Sequence, residues 1–233
     1  MGFDVSFHPI SPKEMEEWYF TPLEWVRQGQ EQRVLDLAAQ FGIEDFYAQK
    51  YLDTLRVGAK TADEELFDKS HGFYLAVVQG FFRTYYYTRG SAFTFLLADK
   101  PAYVRYVTPW QAVTPRPFRN PVANAIVENY CAGVYLAPQQ VRQLRRDLAD
   151  DEAVRADFEA LWSGGQLAVL EKALLAAEQA GAGLLEATEV VEPNPFSLND
   201  SGSYSNLYNC DTEGVLLYRD VASKQLAEAM QRK

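Results

Sequence analysis

The residues able to do covalent or metal chemistry are few: two cysteines, Cys131 and Cys210, and two histidines, His8 and His71. A Cys–His nucleophilic pair needs a thiolate beside an imidazole, because the thiolate is the attacking form and the imidazole takes its proton. Cys131 is expected inside an apolar helical face, where a free cysteine behaves as a small buried hydrophobe. Cys210 lies in the polar segment Tyr208-Asn209-Cys210-Asp211 and is the better placed thiol, yet the Asp211 carboxylate beside it opposes ionisation. None of the four stands in C-x-x-C, H-x-x-x-H or H-E-x-x-H spacing, so no structural zinc is expected. Asp147, Asp150, Asp151 and Glu152 form an acidic run without the twelve-residue calcium loop and its central glycine.

Cofactor signatures are equally thin. Gly181-Ala182-Gly183 lacks the third glycine of a dinucleotide fingerprint and follows a helix rather than a strand, which makes it a helix stop. No phosphate loop, nucleophile elbow or kinase set occurs, and no cofactor is expected. Arg83 to Arg89 interleaves arginines with Tyr85, Tyr86 and Tyr87, but the helical register already uses Tyr85 and Tyr86 for packing, and the charge of the chain opposes RNA. Catalysis by carboxylates from distant segments stays open as an alternative, a hydrolase using Asp and Glu or Cys210.

The elements that would position these groups follow from periodicity. Phe3, Val5 and Phe7 alternate with Asp4, Ser6 and His8, the pattern of a strand with one buried face. Ser11-Pro12-Lys13-Glu14 is a capping box with proline at the first helical position. Apolar residues at helical spacing predict a helix closed by Phe41-Gly42 and a second one carrying Phe46, Tyr47, Tyr51, Leu52 and Leu55. Phe73, Val77, Phe81 and Tyr85, with Tyr74, Val78, Phe82 and Tyr86, predict a central buried helix over about 71–88. From Ser91 to Thr108 the pattern is ambiguous, and the stretches Phe93 to Leu97 and Tyr103 to Val107 are both compatible with strands. Pro109, Pro115, Pro117 and Pro121 mark a loop over 109–121, the one place for a lobe boundary, and Asn120-Pro121 opens a helix toward Cys131. Beyond it come a short strand at Val134 to Leu136, a helix from Pro138, two helices ending at Gly164-Gly165 and Gly181, and a strand over Leu184 to Val191. Residues 193 to 214 are irregular and rich in Asn, Ser, Asp, Pro and Gly, before a last helix with Val215, Tyr218, Ala222 and Leu226 on one stripe. The expected fold is α+β: one predominantly helical domain over residues 1–233 with a small sheet.

Composition bounds the partners. The chain has 233 residues, is 48% hydrophobic and 14% aromatic, and carries a formal charge of −10 from 32 acidic and 22 basic side chains. That is ample for a packed interior. Such a charge repels nucleic acid and anionic membranes and attracts a basic protein. The opening residues show no basic n-region and long apolar stretch, and Phe73 to Phe82 is about ten residues, far short of the ~20 needed to span a bilayer. Two unpaired cysteines suit a reducing compartment, so the expected location is the cytoplasm.

Val134-Tyr135-Leu136-Ala137-Pro138-Gln139-Gln140-Val141, with the three helices and the strand that follow, resembles the second half of the YfbM-like family of uncharacterised bacterial proteins over residues 134–191. That resemblance implies a strand feeding a proline-started helix and carries no catalytic residues with it. The opening Met-Gly-Phe-Asp-Val-Ser-Phe-His-Pro-Ile resembles the beginnings of small acidic bacterial proteins, among them immunity proteins of contact-delivered toxins. Irregular segments longer than about 12–15 residues are uncommon unless they bind something or are disordered, which singles out 193–214. There Tyr204 and Tyr208 among Ser and Asn have the make-up of an adaptable binding surface, and Asp63, Glu64, Asp200 and Asp211 are candidate carboxylates for steering a partner. The expectation is a non-enzymatic bacterial binding protein of immunity or antitoxin type that occludes a basic toxin partner.

Overall fold

The computed structural model describes residues 2–120 and 124–231. Strand β1 (Asp4–Ile10) leads into α1 (Pro12–Met15), one π-helical turn (Glu16–Phe20) and α2 (Thr21–Arg27). Helices α3 (Glu31–Gln40), α4 (Asp45–Lys60) and α5 (His71–Phe82) follow, then β2 (Tyr85–Arg89), α6 (Phe93–Asp99) and a 3-10 segment (Pro101–Tyr106). After β3 (Ala132–Leu136) come α7 (Pro138–Asp150), α8 (Glu152–Leu161), α9 (Gln166–Gln179), β4 (Gly183–Thr188), β5 (Val191–Glu192), β6 (Gly202–Ser203), β7 (Cys210–Asp211) and α10 (Thr212–Gln231). The fold is α+β. A mixed sheet of order β3-β4-β1-β2-β7 joins the two halves of the chain, and β5 and β6 form a separate two-stranded ribbon.

Strand β1 is the centre of the sheet, antiparallel to β4 on one side and to β2 on the other. Both its faces are covered, where the alternation predicts one: Val5 through Ile10 are all buried. Val5 and Phe7 join the core under α6 to α9, whereas Ile10 belongs to the core under α1 to α5. The polar residues of the second face survive burial because they are bonded to one another. Ser6 Oγ and His8 Nε2 are 2.8 Å apart, His8 Nδ1 meets Gln79 Oε1 of α5 at 2.7 Å, and the imidazole stacks on Tyr85 with ring centroids 5.1 Å apart. A buried polar group without such partners costs about 1–3 kcal/mol.

The capping box at Ser11 forms as its sequence predicts: Glu14 N–H donates to Ser11 Oγ and Ser11 N–H donates to Glu14 Oε2. The central helix is shorter than its periodicity predicts. It ends at Phe82, Arg83 is extended, and Tyr85–Arg89 is a strand. Both patterns bury the same residues, because β2 is covered on both faces: Tyr86 packs into the core under α6 to α9, and Tyr85 and Tyr87 pack with Val191 and Cys210. Conversely, the ambiguous stretches over 93–107, compatible with strands by sequence, are helical. The cause lies outside the segment, since the Glu186 carboxylate of β4 accepts the Phe93 and Thr94 amides and so caps α6.

The helix expected from Asn120 has Pro121 outside the described residues. Residues 124 to 130 are irregular, and Tyr130 is left-handed at φ 58°. In the Pro-rich loop, Trp110 and Phe118 are buried against Phe67, with ring centroids 4.9 and 5.2 Å from it. No described helix is long and apolar enough to cross a membrane.

Candidate functional site

The segment over 193–214, irregular by its sequence, holds β6, β7, two 3-10 turns and the first turn of α10; it lies along α5 and is fastened to α5 and to the β4–β5 turn at several points. Ser205 Oγ donates to the Val77 carbonyl at 2.7 Å, Asn209 Nδ2 to the Gly80 carbonyl at 3.0 Å, and Tyr204 N–H to the Val190 carbonyl at 3.0 Å. From α4, Lys50 Nζ reaches the Ser203 carbonyl at 3.0 Å. Gly80 makes the close approach possible, because a Cβ there would collide with Ser205 Oγ and the Tyr85 ring.

A backbone held this way presents its aromatics in fixed positions. Tyr204 packs edge-on against Phe73 at 5.9 Å and Tyr130 at 5.7 Å, and Tyr208 against Tyr47 at 6.5 Å, which in turn meets Phe46 at 5.1 Å. The row Tyr130, Tyr204, Tyr208 and Phe46 is 42%, 50%, 87% and 67% exposed. Rigid aromatics with a polar tip are the residues that dominate docking energies, since they bury large area at small entropic cost. Phe46 and Tyr130 are the members that sequence reasoning missed. Phe46 falls on the apolar spacing of α4, and only its 67% exposure sets it apart from the buried face of that helix.

Tyr208 stands as a ridge between two hollows. One, of about 440 Å³, has Val191, Leu207, Cys210 and Val215 in its wall. The other, of about 370 Å³, is bounded by Phe41, Glu44, Tyr47, Phe82 and Asn206. Glu192 accepts the Tyr130 hydroxyl at 3.1 Å, Asp200 accepts the Ser197 hydroxyl at 2.6 Å, and Asp211 shares Lys172 with Glu213 at 2.6 and 3.2 Å.

The candidate carboxylates therefore separate. Asp200 and Asp211 belong to the same segment as Tyr204 and Tyr208, with Asp200 bonded to Ser197 and Asp211 paired with Lys172 of α9. Asp63 and Glu64 lie just past the other end of α4, whose sixteen residues span about 24 Å. Arg27 reaches Asp63 Oδ1 at 2.9 Å and Arg116 Nε reaches Oδ2 at 2.7 Å. Burial works against ionisation of Asp63, and the two arginines prevail and hold its carboxyl below the usual range. This compensated charge is a poor steering group, while Glu64 is exposed.

Behind Asp63 lies a second polar cluster. Tyr19 Oη and His71 Nδ1 are 2.6 Å apart, and His71 Nε2 points to Asp63 Oδ1 at 3.7 Å. The order hydroxyl, imidazole, carboxylate is that of a proton relay, but Tyr19 and His71 have no exposed surface, so the arrangement ties the π-helical turn, α5 and the loop after α4 together instead. Carboxylates do converge at Asp4 and Glu189: the Asp4 amide donates to Glu189 Oε1 at 3.3 Å, and Tyr87 and Arg89 both reach Asp4 Oδ1. Burial and then the Asp4 charge push the Glu189 carboxyl up to about 7. Cys210 is buried, and burial followed by the Asp211 charge pushes its thiol up to about 12, the reverse of an activated nucleophile.

The histidines give the stability of the protein an acid limb. Burial holds both His8 and His71 down at about 4, from an ordinary value of 6.5. Between those pH values the unfolded chain binds more protons than the native one, so their contribution is complete above about pH 6.5 and is lost as pH falls through about 4. For His8 alone the displacement corresponds to about 3 kcal/mol. The urea midpoint is expected to fall clearly between pH 6.5 and pH 4.5, and a midpoint that holds or rises on acidification would contradict the buried neutral pair.

Comparisons with protein-family models, with curated proteins and with solved structures found no match for the chain.

Proposed function

We propose that this protein is a non-enzymatic binding protein that docks a basic protein partner on the aromatic row around Tyr208, in the manner of an immunity or antitoxin-like protein. The observation that carries the reading is the Tyr208 ring, 87% exposed on a backbone that hydrogen bonds tie down on both sides. An aromatic ring held in water by an ordered scaffold is a prepaid anchor: little freedom remains to be lost on binding. The formal charge of −10 supports a basic partner through long-range attraction, and the carboxylates of Glu192 and Asp200 carry that charge to the row. Asp63 is compensated by Arg27 and Arg116, so the proposed steering rests on the other carboxylates.

The test is surface plasmon resonance at low and high salt against the product of the adjacent gene. Changing Glu192 and Asp200 to amides should chiefly slow association and flatten its salt dependence. Tyr208→Ala should weaken binding by about 2 kcal/mol or more through faster dissociation, and Tyr204→Ala should act in the same direction. No binding by the unmodified protein would sink the reading.

A further inference from the structure

We infer that the smaller hollow beside Tyr208 is a cation site, a cage of aromatic rings and one carboxylate that receives a cationic side chain of the docked protein. The inference rests on the docking reading and adds where, and by which groups, the partner's charge is read. The hollow measures about 370 Å³, within the range of sites that enclose a ligand group, roughly 300–1,000 Å³. Phe41, Tyr47, Phe82 and Tyr208 stand in its wall. The rings of Phe41 and Phe82 cross at 79° with centroids 5.1 Å apart, and those of Tyr47 and Tyr208 cross at 87° and 6.5 Å. Crossed planes share only one line, so a cation off that line stands over the negative face of at least one ring of each pair. Trp18 holds two of the rings from behind, stacked on Phe82 at 4.7 Å and edge-on to Phe41 at 5.9 Å, so they are in position before a ligand arrives.

The negative charge comes from the lining itself. Glu44, in the turn between α3 and α4, is a lining residue; it is exposed, and although it stands at the N-cap of α4 its side chain makes no capping hydrogen bond. Its field reaches the rings: burial, then Tyr208 and Glu44, push the Tyr47 hydroxyl above its ordinary range. Helix α3 ends at Gln40, just before Phe41, and α5 ends at Phe82, so two helix C-termini, each worth about half a negative charge, meet at the hollow. The positive pole of α4 is answered by Asp45 in its first turn. The lining holds no Lys or Arg, and the cations of the adjoining turns are engaged elsewhere, Lys50 with the Ser203 carbonyl and Arg83 with Glu14. Such a hollow repels an anion, and an apolar group would strip water from Glu44 without giving it a partner. A cationic side chain satisfies the rings and the carboxylate together.

The experiment is amide chemical-shift mapping on the full chain with two blocked amino acids, acetyl-lysine methylamide, free at its ε-ammonium, and the neutral acetyl-norleucine methylamide. The lysine compound should shift resonances within residues 41–47 and 206–209, and the norleucine compound should bind about fivefold more weakly. Glu44→Gln and Phe41→Leu, both at exposed positions, should keep the fold by circular dichroism and each weaken the lysine response by about threefold. Equal binding of norleucine would reduce the hollow to apolarity, and a lysine response unchanged in Glu44→Gln or in Phe41→Leu would take the carboxylate or the rings out of the site. Any of these results overturns the inference, as does the absence of shifts with the lysine compound. Lysine recognition that persists while the intact partner fails to bind would sink the docking reading alone. Partner binding that is lost in Tyr208→Ala but unchanged in Glu44→Gln and Phe41→Leu would overturn the cage and leave the docking reading in place.

Discussion

Replacing Glu186 by alanine is expected to cost about 3–5 kcal/mol of stability, the range for removing one side of a fully buried charged hydrogen-bond centre. Its carboxylate, 1% exposed, gathers donors from two elements that are far apart in sequence. Oε1 accepts the Phe93 amide, and Oε2 accepts the Thr94 hydroxyl at 2.7 Å, the Thr94 amide at 3.3 Å and the Val134 amide at 3.4 Å. Gly133 leaves the space, since a Cβ at that position would run into Oε2. Alanine would strand these donors without solvent. Glu186→Gln keeps one carbonyl oxygen but turns an amide toward the remaining donors, so a smaller loss, about 2–3 kcal/mol, is expected. Urea denaturation at neutral pH measures both, and a loss below about 1 kcal/mol for alanine would refute the capping role.

Glu186 also shows where a sequence stops being informative. The start of α1 is legible because Ser11 and Glu14 are three residues apart and cap each other. The end of α9 is legible because Gly181 takes a left-handed φ of 63° that glycine adopts without strain. The start of α6 carries no such local signal: its cap arrives from a residue 93 positions away, and its β-prone run Phe93-Thr94-Phe95 is compatible with a strand. The same division runs through the candidate site. Tyr204 and Tyr208 stand out by local composition, whereas the compensation of Asp63 depends on Arg27 and Arg116, each dozens of residues distant. The hollows beside Tyr208 are made by the turn between α3 and α4, by α4, α5, β5 and α10 closing around one loop, which no window of sequence contains.

Gly214→Val is expected to destabilise the protein by about 3 kcal/mol, because the new side chain has no place to go. A Cβ at position 214 would penetrate the carbonyl oxygen of Tyr87, a backbone atom of β2 that cannot swing aside. Gly214 is the buried residue of α10, and its close approach lets Val215, Leu217 and Tyr218 pack beside it and seat the helix on the sheet. The loss should therefore be local before it is global: limited proteolysis should cut within 212–231 well before the rest of the chain, and the melting temperature should fall. Gly29→Ala gives the contrast. Its φ of 73° makes alanine strained, yet nothing lies within 4 Å of the added methyl group, so about 1 kcal/mol is expected there. Unchanged protease resistance of α10 in Gly214→Val would show that the helix is held by other means.

The claim that the aromatic row docks a basic protein is tested most directly by a photo-crosslinking amino acid, p-benzoyl-phenylalanine, placed in cells in place of Tyr208 or, as a control, in place of exposed Arg142 of α7. The account predicts one protein adduct from position 208, absent from position 142 and weakened by salt, whose sequence carries an excess of Lys and Arg. Adducts of equal yield from both positions, an acidic partner, or no adduct from position 208 would contradict it.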